Sequence, residues 1–244
     1  MSILVSDYDG TLSLKNGNMQ LNCDMLREYI ADGNYFVLSS GRSYESLMEQ
    51  VGKHDIPFSY LSCCDGSFLY NDYGRLLYAY PISHKVTGVL DAFKSLHVPY
   101  RLEFAYPNDY LLEYNPNDVL GSIAFTIDSK FETPEIKNFF ARIKKDYPEY
   151  QLDRYGYGEE VYYLIRPHGV SKTVPIKFLQ QDLGVLRQDV YTIGDNTNDK
   201  ELIRDYNGYR IGNNPDIIDV SLRKYGEVHQ LIKDIRDGKA IKRW

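Results

Sequence analysis

Two acidic turns, far apart in the chain, carry the residue types best suited to chemistry. The first, Asp7-Tyr8-Asp9-Gly10-Thr11, follows the apolar strand-like run Ile3–Ser6. Its two carboxylates, with Gly10 permitting a tight turn, suit a hard, oxygen-ligated cation such as magnesium. An Asp-Gly turn alone is common in any protein. The second, Gly194-Asp195-Asn196-Thr197-Asn198-Asp199, follows another apolar run, Val190–Ile193. If these strands are neighbours in a parallel sheet, both turns open at the carboxyl ends of the strands, where such sheets bind ligands. Matched acidic turns after two strands are a far more specific signal than either alone. Asp199 has a second reading, as a cap for the helix that follows.

Two further segments offer groups for an anion. Ser39-Ser40-Gly41-Arg42 also ends an apolar strand, and a hydroxyl before Gly presents an O–H and an approachable backbone N–H to a phosphate oxygen. Side chains alternate along a strand, so Ser39 and Ser40 should not both face one site, and either could instead cap the next helix. Lys172, in Gly169-Val170-Ser171-Lys172, lies at the start of an expected helix. A helix N-terminus favours anions and an ammonium there adds to the effect, although a lone Lys is most often a surface residue.

The elements that must position these groups alternate strand and helix at both ends of the chain. Ile3–Ser6, Tyr35–Leu38, Tyr60–Cys63, Phe68–Tyr70, Val190–Ile193 and Tyr209–Ile211 read as strands. Leu21–Asp32, Ser43–Val51, Val170–Leu183 and Asp199–Tyr206 read as helices, with Gly33 and Gly184 as stops. Short apolar strands between helices predict an α/β domain with a parallel sheet covered on both faces. The middle differs: helices Ser83–Leu96 and Pro134–Asp146 are interleaved with strand-like runs at Tyr100–Phe104, Tyr110–Glu113, Ser122–Ile127, Tyr150–Arg154 and Val161–Ile165. That pattern predicts an α+β layer with an antiparallel sheet. The expected division is a discontinuous core, 1–81 and 169–244, with an inserted domain at 82–168.

Composition narrows the function classes. The formal charge of the 244 residues is −6, and the insert carries 10 Lys and Arg against 13 Asp and Glu. Neither part offers the positive field of a nucleic-acid binder, and the mildly basic end, Lys233–Trp244, reads as solvated surface. No apolar run reaches membrane-spanning length and the N-terminus lacks a signal-peptide pattern, so a cytoplasmic protein that engages no membrane is expected. Cys23, Cys63 and Cys64 fit that setting as structural thiols, since adjacent cysteines rarely pair and no second Cys or His pair stands at metal-ligand spacing.

Taken together, the four segments resemble the haloacid dehalogenase superfamily of phosphotransferases. Its DxDGT motif matches Asp7, Asp9, Gly10 and Thr11; its Ser or Thr before Gly-Arg matches Ser40; its basic residue matches Lys172; and its GDxxND motif matches Asp195, Asn198 and Asp199. The large insert resembles the subclass IIB, or Cof-like, α/β cap on a Rossmann-like core. Cys64-Asp65-Gly66-Ser67 with Asn71-Asp72-Tyr73-Gly74 is similar to that group's "NGA…DG" hairpin, and Gly169–Lys172 to its "GVSKG" return. Asp65 stands where Asn is usual and Thr173 where Gly is usual; the tail after Gly212 matches loosely.

The resemblance implies a magnesium-dependent phosphatase for small phosphorylated metabolites, sugar phosphates among them, with no protein partner. Asp7 would be the nucleophile that forms an aspartyl phosphate and Asp9 the general acid and base. The Asp7 carboxylate, the Asp9 backbone carbonyl and Asp195 would hold Mg2+. Ser40, Gly41, Lys172 and Asn198 would bind the phosphoryl oxygens, with Asp199 and Arg42 in support. The cap would close over the site and choose the leaving group. Two alternatives carry other expectations: a phosphosugar mutase of the phosphomannomutase kind, and a non-catalytic phosphate- or partner-binding protein on the same fold.

Overall fold

The computed structural model describes residues 1–83 and 85–243, and of Tyr157 only the backbone. His84, within the expected helix Ser83–Leu96, and Trp244, at the end of the basic tail, lie outside the described residues.

The chain opens with β1 (Ile3–Asp7), all five residues buried. It continues through α1 (Met19–Ala31), β2 (Tyr35–Ser39), α2 (Tyr44–His54), β3 (Tyr60–Cys63), β4 (Phe68–Asn71) and β5 (Leu76–Ala79). Asn18 caps α1 by accepting from the Leu21 N–H, and Gly33 follows the helix at φ +83°. It is Ser43, rather than Ser39 or Ser40, that caps α2, through the Ser46 N–H.

The middle of the chain supplies α3 (Val86–Phe93), β6 (Arg101–Ala105), β7 (Tyr110–Leu111), β8 (Ser122–Asp128), α4 (Pro134–Asp146), β9 (Tyr150–Tyr157) and β10 (Glu160–Pro167). The final part adds α5 (Thr173–Asp182), β11 (Val190–Gly194), α6 (Lys200–Asp205), β12 (Asn207–Ile211), α7 (Pro215–Ile218), β13 (Lys224–Tyr225) and α8 (Val228–Arg236). These elements form two compact units, Met1–Tyr78 with Ser171–Trp244, and Ala79–Val170. The second begins three residues before, and ends two after, the segment 82–168 expected from sequence.

The first unit is built on an eight-stranded sheet of order β13-β12-β11-β1-β2-β3-β4-β5. Pairings from β13 to β3 are parallel, and β3–β4 is antiparallel. From β1 the chain winds outward through β2 and β3, and later through β11 and β12 on the other side. The carboxyl ends of β1, β2 and β11 therefore flank the reversal in strand order, the place where such a sheet leaves a crevice. Ile3, Val5 and Val37 pack with Ile176 and Leu179 of α5 and Leu202 of α6. Two-residue alternation aims Asp7 and Ser39 toward the same face as Ile3, Val5 and Val37. That face is where the N-termini of α5 and α6 begin.

In the second unit β7-β6-β8-β10-β9 form a five-stranded, antiparallel sheet. Phe93 of α3 and Phe139, Phe140 and Ile143 of α4 cover one face against Phe125, Val161, Tyr163 and Ile165. Phe140 stacks on Tyr163 with ring centroids 3.7 Å apart.

The C-terminal stretch 233–243 is exposed or half-exposed, as expected, and is tied to the core that precedes it. Val228, Leu231 and Ile232 of α8 are buried, and the Arg243 guanidinium donates to the carbonyls of Ile203, Tyr206 and Val220. Those carbonyls lie at or beyond helix ends, where backbone acceptors lack intrahelical donors.

Candidate active site

Asp7 is the last residue of β1 and is paired in register with Ser39 of β2, while the preceding Ser6 pairs with Ile193 of β11. The backbone then turns sharply. Leu12 N–H returns to the Asp7 carbonyl, and Thr11 and Ser13 N–H to the Tyr8 carbonyl. Gly10 holds φ +81°, and a Cβ there would stand 2.5 Å from Asp195 Oδ2. Both facts require glycine: the left-handed backbone and the close approach of the second acidic turn.

Lys172 joins the two turns. Its Nζ donates to Asp7 Oδ1 at 2.5 Å and to Asp199 Oδ1 at 2.8 Å, and the side chain is 1% exposed. The other oxygen of Asp199, Oδ2, accepts from the backbone N–H groups of Asp195 and Asn196. The cap expected of Asp199 for the following helix is not made, since its side chain bonds no backbone N–H of α6; it closes the capping box of the 3-10 turn Thr197–Asp199 with Asn196 and pairs with Lys172. Asp195 Oδ1 accepts from Thr11 Oγ1 at 2.9 Å, a contact that the motif spacing did not assign to Thr11.

The electrostatics follow from burial of like charges around one ammonium. Burial pushes Asp7 well above the ordinary carboxylate range; Lys172 opposes that shift, while Asp199 and Asp195 add to it. Burial also raises Asp195, against the Thr11 hydrogen bond. On Lys172 burial acts downward, but the charges of Asp199 and Asp7 outweigh it and its pKa is raised.

Oxygens of Asp7, Asp195 and Asp199 lie within 4.8 Å of one another. Three carboxylates against one ammonium leave two net negative charges, the balance a divalent cation would supply, and an all-oxygen donor set suits a hard one. Asp199 has both oxygens committed to nitrogen donors, so Asp7 and Asp195 keep the oxygens best able to ligate.

The Asp9 carboxylate is engaged elsewhere. Arg42 Nε and Nη2 grip its two oxygens at 2.7 and 2.8 Å, a bidentate pair at the exposed rim. Arg42 Nη1 also donates to Ser46 Oγ, and the guanidinium lies over the Tyr8 ring. In the Ser39–Arg42 segment both serines are buried. Ser40 Oγ accepts from the Arg42 N–H at 3.2 Å, whereas Ser39 Oγ has no hydrogen-bond partner among the described residues. Asn198 Nδ2 donates to Asp65 Oδ1 at 3.1 Å. Asp65 was legible only as a departure from the family pattern; its presence beside Gly41 and Asn198 was not.

The comparisons agree with this fold. The haloacid dehalogenase-like hydrolase family matches residues 4–118 and 101–219. A haloacid dehalogenase-like hydrolase from Bacteroides thetaiotaomicron is 17% identical, with 96% of this chain and 99% of that chain covered and a TM-score of 0.78. A haloacid dehalogenase-like hydrolase from B. subtilis gives the same identity, coverage and score, 17%, 96% and 99%, and 0.78. Another B. thetaiotaomicron protein, described among the phosphatases of the haloalkanoate (HAD) enzyme superfamily, is 15% identical over 99% of this chain and 96% of its own, with a TM-score of 0.76. At such identities the likeness carries the fold. Among curated proteins none matches. The chain belongs to the haloacid dehalogenase-like hydrolases, in the Cof-like subclass IIB, with a Rossmann-like core and an inserted cap. No helix among the described residues is long and apolar enough to cross a membrane.

Proposed function

We propose that this hydrolase is a magnesium-dependent phosphatase of small phosphorylated metabolites and works through an aspartyl phosphate on Asp7. The observation that carries the reading is the buried Lys172 ammonium bridging Asp7 and Asp199, with Asp195 alongside. A buried carboxylate held by an ammonium is oriented for attack and kept from random rotation. Asp7 attacks phosphorus, the ester oxygen leaves with a proton from Asp9, and water activated by Asp9 then cleaves the acyl phosphate and restores Asp7. For this, the Asp9 carboxylate must leave the Arg42 grip, which at a half-exposed surface pair is a small cost.

Mg2+, when held by Asp7, Asp195 and the Asp9 carbonyl, supplies charge neutralisation for the phosphoryl oxygens. Lys172 and Asn198, with the Ser40–Gly41 segment, bind the remaining oxygens, where charge spreads in the transition state. The inserted domain selects the leaving group. A phosphate-release screen over sugar phosphates, nucleotides and an aryl phosphate, with magnesium and with EDTA, tests the reading. Magnesium-dependent release is expected, and full activity in metal-free buffer or isomerisation without net release would overturn it.

A further inference from the structure

The turn Cys64-Asp65-Gly66 is strained and closely built. Cys64 and Asp65 hold φ of 51° and 52°, a region glycine prefers, and Gly66 follows at 96°. A Cβ on Gly66 would stand 2.1 Å from the Ser171 carbonyl oxygen, so the turn is pressed against the backbone that presents Lys172. Cys64 N–H donates to the Arg42 carbonyl, and Asp65 N–H to the Ser40 carbonyl at 3.1 Å, which ties the turn to the Ser40–Arg42 segment.

This backbone delivers the Asp65 side chain, only 9% exposed, between two residues of the proposed phosphoryl cradle. Its Oδ1 accepts from Asn198 Nδ2, and its Oδ2 lies 3.2 Å from where a Cβ of Gly41 would be. A carboxylate only accepts, so it fixes which end of the Asn198 amide faces it; an Asn at 65 would allow either end. The Asp65 charge is a further negative charge beside the acid cluster, and it acts on Lys172 together with Asp199 and Asp7. A divalent cation would offset the two net charges of Asp7, Asp195, Asp199 and Lys172, and the charge on Asp65 remains beside the cradle.

We infer that Asp65 is a positioning and specificity residue: it orients Asn198, and its negative charge weakens the hold on a phosphate dianion, favouring product release over retention. The inference rests on the proposed phosphatase reading. Even at the dielectric constant of water, one unit charge several ångströms from a dianion is worth about tenfold in affinity, and burial of Asp65 does not weaken it.

The test is calorimetric binding of inorganic phosphate in magnesium buffer, alongside aryl phosphate kinetics, for wild type, Asp65→Asn and Asp65→Gly. Both replacements tolerate positive φ, so the second keeps the test available if the first fails to fold. Each variant is expected to bind phosphate about tenfold tighter, with product inhibition strengthened in parallel. The kcat of Asp65→Gly should fall further than that of Asp65→Asn, because Asn198 then loses its acceptor. A merely structural residue would not tighten phosphate when removed. Unchanged or weaker phosphate binding in the folded variants overturns the inference. A wild type that neither binds phosphate nor releases it would instead overturn the phosphatase reading itself.

Discussion

Replacing Lys172 with Met removes the one cation that three buried or half-buried carboxylates share. Met approximates the length of the side chain, so cavity formation contributes little and the change is mainly one of charge. Lys172 is 1% exposed, and its partners Asp7 and Asp199 are 8% and 1% exposed, so water cannot replace the ammonium. Deleting one partner of a buried pair costs about 3–5 kcal/mol. For a chain of this size that lowers the melting temperature by about 6–20 °C.

The loss should depend on pH in a definite direction. Burial already raises Asp7 well above the ordinary carboxylate range, and without Lys172 the opposing influence is gone. A carboxyl whose folded pKa exceeds its unfolded value binds its proton more tightly when folded. Its contribution is therefore most favourable below the unfolded value and is lost as pH rises through the folded value. Lys172→Met should thus regain stability as pH falls from neutrality toward that range. Urea denaturation in EDTA at pH 7.5 and 5.5 reads both effects. A loss below about 1 kcal/mol at pH 7.5, or no narrowing of the gap to wild type at pH 5.5, would refute the account of the cluster.

Gly10→Ala should lower the apparent magnesium affinity at least tenfold in a metal titration of phosphate release, because a Cβ at φ +81° must push Asp195 Oδ2 from 2.5 Å; an unchanged titration would contradict the packing argument. In the inserted unit, the Arg154 hydrogen bond draws Glu132 down to about 2, with Tyr163 assisting. A depressed carboxyl contributes stability above its unfolded pKa and loses it as pH falls toward the folded value. Glu132→Gln should therefore cost about 1–2 kcal/mol at pH 7, discounted because Arg154 is 48% exposed, and much less near pH 2; equal costs at both pH values would refute it.

The strands that carry the site were legible because each is a short, mostly apolar run ended by polar or glycine residues. β1, β2 and β11 fall within two residues of their expected limits. The meeting of Asp7, Lys172, Asp195 and Asp199 was legible only jointly, since each has an ordinary alternative role. What was missed has local causes. The helix α8 has apolar residues at helical spacing, Val228, Leu231, Ile232 and Ile235, but Glu227 and Gln230 form its capping box instead of a Ser or Thr signal. β13 is two residues long, below the length at which alternation can be seen. The Asp9–Arg42 grip joins side chains 33 residues apart, a rotamer choice that no local pattern encodes.

The most direct test of the central claim is phosphate release by folded Asp7→Asn from an aryl phosphate in magnesium buffer, beside wild type. An amide cannot supply the attacking oxygen and is a poorer cation ligand, so release at background level is predicted. Circular dichroism matching wild type would exclude unfolding as the cause. Near wild-type release from the folded variant would contradict the assignment of Asp7 as nucleophile, and with it the aspartyl phosphate.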